Sequence, residues 1–292
     1  LSVRIGASEA TVIWYYTFWP EAMEELKRRC PRVRIVLRTV NAEAFQHWVR
    51  AEKNWRRLRG LPRDVYGFAR LLWRDRRCAR AANVLAGISP RDDERYWSRL
   101  VGRGKVATVP YLCPWPVLLP DVQPRPWETR ENRILCLPGS RDAIGRGHVE
   151  GFARLAVRPE LAAWRFAASA GFADPADDRF PDGVERLGYL EEPWEWLCRV
   201  RAVAVLSPHG HGCKTTVSDA LAAGCHVLMH PRQHARLSSA DRALVWPVDP
   251  GVAADVRCIA ESLARASVAV AAEHQKFQLA RSLVAWSKVL VP

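Results

Sequence analysis

Hydrophobic positions along this chain fall into short dense runs, and between them lie stretches where apolar residues recur at helical spacing, the pattern of strands alternating with helices. Runs at residues 10–19, 33–39 and 83–88 are each followed by a helical stretch, at 20–30, 42–80 and 90–101, of which 42–80 is long, basic and broken by turns. A second series places strands at 133–137, 164–170 and 184–188 with helices at 147–157 and 193–199. Between the series lies TVPYLCPWPVLLPDVQPRPWE, residues 108–128. Its repeated prolines lack backbone donors, which predicts an interdomain linker without regular helix or central strand. Alternation on both sides of it predicts an α/β chain with a doubly wound parallel sheet in each half. The tail, 256–290, is helical in pattern, with Ile259, Leu263 and Val268, then Phe277, Leu283, Val284 and Leu290.

One stretch carries chemistry as well as pattern. RAVAVLSPHGHGCKTTVSDALAAGCHVLMHP, residues 201–231, reads as a buried parallel strand (202–206), a Pro/Gly break (208–212), a helix (214–223) stopped by Gly224, and a further strand (227–229). Glycines ahead of a helix let backbone amides approach a phosphate, and the helix N-terminus favours its charge. Asp219, further into the helix, is placed to accept hydrogen bonds from ribose hydroxyls. The unit predicts nucleotide handling.

DALAAGCHVLMHP, residues 219–231, resembles the signature of nucleotide-sugar-dependent glycosyltransferases of the GT-B fold, group 1 type. That large retaining group has a Glu, a glycine-rich turn, a second Glu eight positions on, then Ala-Leu-Ala-x-Gly. The likeness extends through RILCLPGSRDAIGRGHVEGFARLA (133–156), similar to the family's strand, Gly-Arg turn, Lys-Gly and helix, and GYLEEPWEWLCRVRAVAVLSP (188–208), similar to the segment under the nucleotide base. Further back, LRTVNAEAFQHW (37–48) resembles the His-Asn-x-Glu stretch, and RRCARAANVLAGISPRDDERY (76–96) the helix, strand and Ser turn before the interdomain linker.

The resemblance implies a GT-B fold, two Rossmann-like doubly wound domains with parallel sheets facing each other across a cleft. It implies an acceptor-side domain over 1–125, a donor-binding domain over 126–272, and a final helix over 273–292 that crosses back to the first domain. The opening strand and Gly-rich turn of the family are missing ahead of Leu1, which implies a truncated N-terminus. The implied activity is transfer of a sugar from a nucleotide-diphosphate donor, with retention. The donor's leaving phosphate would take the acceptor proton, and fixed cations, not a metal, would stabilise the departing diphosphate.

Carried over position by position, Arg141 and Arg146 stand for the family's Arg and Lys. The distance from Gly139 to Arg146 is one residue longer than the family's, so Arg141 supplies the first charge. Donor contacts fall on Gly139, Ser140, Tyr189, Leu190, Gly212, Cys213, Lys214, Thr215 and Asp219, and acceptor-side contacts on Asn41 and Glu43. There are two departures. Val40 replaces the family's His, and His211 replaces its first Glu, which normally touches the transferred sugar and is the third candidate for catalysis here. They motivate an alternative, a catalytically degenerate GT-B domain that binds a partner or an anionic polymer.

Composition narrows the partners. The chain is 49% hydrophobic and 26% charged, ordinary for a folded protein of 292 residues with two cores. Its net charge of +13 is uneven, for residues 1–130 hold 25 Lys and Arg against 13 Asp and Glu. Such a field attracts acidic lipid headgroups, a lipid diphosphate or an acidic glycan. The expected acceptor is a glycan, a lipid-linked or a small molecule, with peripheral membrane contact through the basic half; no nucleic-acid reader motif occurs. Eight scattered cysteines without a CxxC pair and no apolar run of membrane length predict a cytoplasmic protein, peripheral on the inner membrane face. His209, His211, His226, His230 and His234 include an HxH spacing, but Pro231 interrupts the helical pair His230/His234, and no metal is expected.

Overall fold

Buried apolar runs make the strands, and among the described residues these assemble into two sheets in which every pairing is parallel. The computed structural model describes residues 10–39, 42–52, 61–138, 143–169, 181–211, 213–267 and 271–290. The chain divides into two compact units. The first comprises Leu1–Tyr111, His211–Cys213 and Leu279–Pro292; the second comprises Leu112–Gly210 and Lys214–Gln278.

In the first unit the sheet order is β1 (Thr11–Tyr15), β2 (Arg34–Arg38), β3 (Val84–Gly87), β4 (Val106–Thr108). Helix α1 (Pro20–Arg29) starts on a proline, which costs nothing where first-turn amides lack partners, and carries Glu21 in its first turn and Lys27, Arg28 and Arg29 in its last, as the helix dipole favours. It is followed by α2 (Glu43–Glu52) and the long α3 (Leu61–Ala81). Successive residues of a strand face opposite sides. Ile35, Leu37 and Leu85 accordingly pack with Met23, Cys78 and Trp97 on one face, while Val36 and Ala86 meet Val109 and Val289 on the other.

The second unit holds β5 (Glu131–Cys136), β6 (Arg165–Ala168), β7 (Val184–Arg186), β8 (Val200–Val205), β9 (His226–Met229) and β10 (Val245–Pro247), in the order β10-β9-β8-β5-β6-β7. Its longer helices include α4 (Ala143–Ala156), α5 (Pro193–Arg199), α6 (Thr215–Ala222) and α7 (Ala253–Leu263). Leu135, Val203, Val205 and Val227 line one face, Ile134, Ala202, Ala204 and Leu228 the other. Both faces are covered, which is why the strands read as unbroken apolar runs. Helix α8 (Ala271–Leu290) belongs to the second unit through Gln278 and to the first from Leu279 on.

Three local expectations need correction. The run at 10–19 is a strand only to Tyr15, because Tyr16 takes a positive φ of 64°, and β1 is an edge strand among the described residues. The proline-rich stretch does hold a helical turn, Trp115–Leu118, with Pro116 in its first turn, and ends in a 3-10 turn, Trp127–Thr129. Strands β4 and β10 were not expected, being three residues each.

Candidate functional site

The chain runs from β5 outward to β6 and β7, then returns to the opposite side of β5 as β8. At such a reversal the loops beyond the C-terminal strand ends diverge and leave a crevice, the general place for ligands in open parallel sheets. The loop after β5 leads into α4, and the loop after β8 leads into α6.

Close packing surrounds the start of the second loop, from Leu206 to Gly210. Two glycines of α4 let that helix approach: a Cβ at Gly147 would stand 2.6 Å from the Ser207 Oγ, and one at Gly151 2.7 Å from the Leu206 side chain. From the same face His148 accepts the Ser207 N–H on Nδ1 at 3.2 Å. On the other side the buried Gln233 amide donates to the carbonyls of Pro208 and Gly210, both at 3.3 Å. Gly210 has φ +115°, a conformation other residues avoid, and a Cβ there would meet the Lys214 Nζ at 2.5 Å and the Ile144 side chain at 3.4 Å. The Lys214 ammonium, Gly210 and the first turn of α4 therefore converge. Arg146, also on that first turn, is exposed. An ammonium beside a positive-φ glycine turn at a switch point is a setting that suits an anionic phosphate ligand.

Asp219 lies one turn into α6 and is only 8% exposed. It is thus not the solvated helix residue that a carboxylate in this position could be. Its carboxylate is beside Cys113, whose thiol is pushed up by burial first and then by this charge and a hydrogen bond to it. The far end of α6 is pinned. Gly224 (φ 72°) closes a Schellman turn, with the Gly224 N–H on the Leu221 carbonyl and the Cys225 N–H on the Ala220 carbonyl, both 2.9 Å. The buried Arg130 guanidinium donates to the Ala223 carbonyl at 2.7 Å and the Gly224 carbonyl at 3.1 Å. Because a charge-assisted bond is worth about 1.5–3 kcal/mol, Arg130→Ala is expected to lower unfolding free energy by about 2–3 kcal/mol in urea. A loss below about 0.5 kcal/mol would mean that water caps these carbonyls equally well.

The remaining candidates are placed as follows. Thr215 is the first residue of α6. Tyr189, 71% exposed, and Leu190, partly buried, lie between β7 and α5. His211 and Cys213 group with the first unit. There the His211 ring packs 5.3 Å from Phe45, with Nδ1 3.7 Å from the buried Asp92 carboxylate, and Cys213 is within electrostatic reach of Arg38. Glu43, partly buried, opens α2 near Tyr96. Asn41, Gly139, Ser140, Arg141 and Gly212 lie outside the described residues, as does Val40.

The histidines have separate duties. His226 joins the Arg265 carbonyl (3.0 Å) and the Trp246 indole (3.2 Å), His230 caps the turn at Pro231, His234 reaches the Arg242 carbonyl, and His47 touches the Asp64 carbonyl and packs against Gly67. Among the described residues no group of three or more His, Cys, Asp or Glu is placed to hold a metal ion.

Sequence reasoning passed over His148 and Arg130. A signal for the first existed, since Ile144, His148, Gly151 and Leu155 share one helical face. It also passed over a buried set at the C-terminal edge of the first sheet. Asp93, in the π-helical turn Asp93–Trp97, accepts from Thr108 at 2.7 Å and fills the space Gly87 leaves open. Burial is the main cause that pushes its carboxyl up to about 7, with the adjacent Asp92 adding to it. Asp75 accepts from Thr17 (2.5 Å) and Tyr96 (2.6 Å), and burial pushes it up to about 6.

No protein-family model and no curated protein sequence matches this chain. Solved structures do. The chain is similar to Anabaena HepE in complex with UDP, at a TM-score of 0.66 and 10% identity over 99% of this chain and 79% of that one. It is also similar to sucrose-phosphate synthase from Thermosynechococcus elongatus, at 0.56 and 14% over 94% and 69% of the two chains. A third likeness is to the lipopolysaccharide outer core galactosyltransferase WaaB, at 0.54 and 14% over 97% and 73%. The chain has the GT-B fold.

Proposed function

We propose that the chain is a glycosyltransferase that moves a sugar from a nucleotide-diphosphate donor to an acceptor hydroxyl, with the donor held by the second unit. One observation carries the reading: a buried carboxylate, Asp219, set one turn into the helix that follows the close-packed Gly210 turn at the sheet's switch point. The ribose would take Asp219, and the diphosphate would take the amides that open α6, the Lys214 ammonium, and the guanidiniums of Arg141 and Arg146. HepE, similar in fold, has been crystallised with UDP and with UDP-glucose, which supports a nucleotide-sugar donor here.

In this scheme fixed cations meet the charge that grows on the leaving diphosphate, and no metal is required. The resemblance to the retaining group supports transfer with retention, the leaving phosphate taking the acceptor proton on the same face. Asn41 and Glu43 are assigned to the acceptor side, and the basic first half suits an anionic or lipid-linked acceptor at a membrane surface.

Donor hydrolysis and transfer assays on the full chain, with UDP-, GDP- and ADP-sugars, test the reading. Asp219→Ala, checked for folding by circular dichroism, is expected to weaken donor binding about tenfold, the value of one good charged hydrogen bond, with a smaller effect on kcat. A wild type that binds nucleotide but never hydrolyses or transfers any sugar would replace this reading with the binding module.

A further inference from the structure

Helix α3 wears an unusual outer face. Its inner side gives Phe68, Leu71, Leu72 and Cys78 to the first unit's core. Outward, at spacings of three and four, come Tyr66, Arg70, Trp73, Arg77 and Arg80. Tyr66 is 68% exposed and Trp73 54%, with Val65 exposed beside them and Arg63, Arg70, Arg76 and Arg80 around them. Single exposed apolar residues are ordinary, but aromatic rings set in register with arginines along one helix face form a contiguous surface.

The surface continues into the loop ahead of α1. Tyr16 and Phe18 are stacked at 5.2 Å, Trp19 meets Phe18 edge-on at 5.9 Å, and Trp19 is 62% exposed. The Arg74 guanidinium lies 5.0 Å from the Phe18 ring centre, which ties this loop to α3. The rings are held outward by fixed structure. Thr17, between them, is buried and bonded to Asp75 on the inner side of α3, and the positive φ of Tyr16 reverses the chain just before it.

We propose that this face, α3 together with the Tyr16–Trp19 loop, docks the first unit on an anionic lipid bilayer. Tyr and Trp rings suit the headgroup boundary, where one side of the ring is apolar and the other wet, and the exposed arginines suit lipid phosphates. A nucleic-acid surface is less well matched. Arg77 is already held by Glu21 and Glu24 and lies over Trp73, which leaves exposed rings between cations along this face in place of the unbroken row of cations that a polyphosphate backbone favours. Among the described residues no helix is long and apolar enough to cross a membrane, and this contact needs none. The inference gives the membrane contact named above a definite surface and does not depend on the donor reading.

Sedimentation of the full chain with vesicles tests it, using phosphatidylcholine alone and phosphatidylcholine mixed with phosphatidylglycerol. The expected result is binding to the mixed vesicles and little to the neutral ones. Paired variants at exposed positions, Tyr66→Ser with Trp73→Ser and, separately, Arg70→Glu with Arg80→Glu, are each expected to weaken binding on the order of tenfold or more while the thermal melt is kept. Failure of the wild type to bind mixed vesicles overturns the proposal. So does an aromatic variant that binds as well as wild type, or binding to single-stranded RNA with none to vesicles.

Discussion

Arg146→Ala is expected to slow sugar transfer about a hundredfold, a loss of about 3 kcal/mol of transition-state stabilisation, the scale on which a fixed donor to developing charge acts. Negative charge accumulates on the diphosphate as the sugar departs, so a guanidinium there gains strength along the reaction coordinate. The loss should appear mainly in kcat, and UDP affinity should fall less, because in the proposed site the ground-state diphosphate would also have Lys214 and the α6 amides. Arg154, two turns further along α4, is exposed and donates to the Glu150 carbonyl of its own helix, so Arg154→Ala serves as the control with rates unchanged. If Arg146→Ala retains more than about a third of the wild-type kcat, Arg146 has no part in leaving-group stabilisation.

Asp93→Asn is expected to stabilise the fold increasingly as pH rises from about 5 to about 8, by about 2–3 kcal/mol across that window. Burial raises the folded Asp93 carboxyl to about 7, whereas in the unfolded chain it ionises near its ordinary value of 3.8. The folded state therefore binds more protons than the unfolded state between those limits. The contribution to stability is fully present below the lower limit and is lost as pH rises through the upper one. Asp75, raised to about 6, acts in the same direction. His226 and His230 oppose both. Their folded pKa values are lowered, chiefly by burial, so their contribution is lost as pH falls. The difference between wild type and Asp93→Asn isolates one group from that mixture, because the amide oxygen can still accept from Thr108. Urea unfolding at several pH values reads it, and a difference that does not change with pH would show that Asp93 is ionised in the fold like any exposed carboxylate.

Much of the architecture was legible because both sheets are covered on two faces. Arg34–Arg38, Glu131–Cys136 and Val200–Val205 announce themselves as apolar runs, and Gly224 stops α6 where the composition places the stop. The place of Asp219 inside α6 was legible too, since its spacing from the glycine turn is a property of one continuous segment. Groups whose burial depends on remote partners were not. Asp75 sits among arginines in LLWRDRRCAR and looks solvated, yet its neutral environment is made by Thr17 and Tyr96, 58 and 21 residues away. Arg130 reads as the polar end of a linker, although the carbonyls it caps are more than ninety residues on. His211 stood in the family's Glu position on sequence, and its packing against Phe45 and Asp92 follows from the grouping of 211–213 with the first unit, which no local pattern expresses.

Titration calorimetry of the full chain with UDP, GDP and ADP, run in EDTA, addresses the central claim most directly. The predicted result is saturable binding of at least one of these nucleotides without metal, weakened about tenfold by Asp219→Ala. A folded chain that binds none of the three, or binds only when a divalent cation is returned, would contradict the assignment of the second unit as a metal-independent donor site.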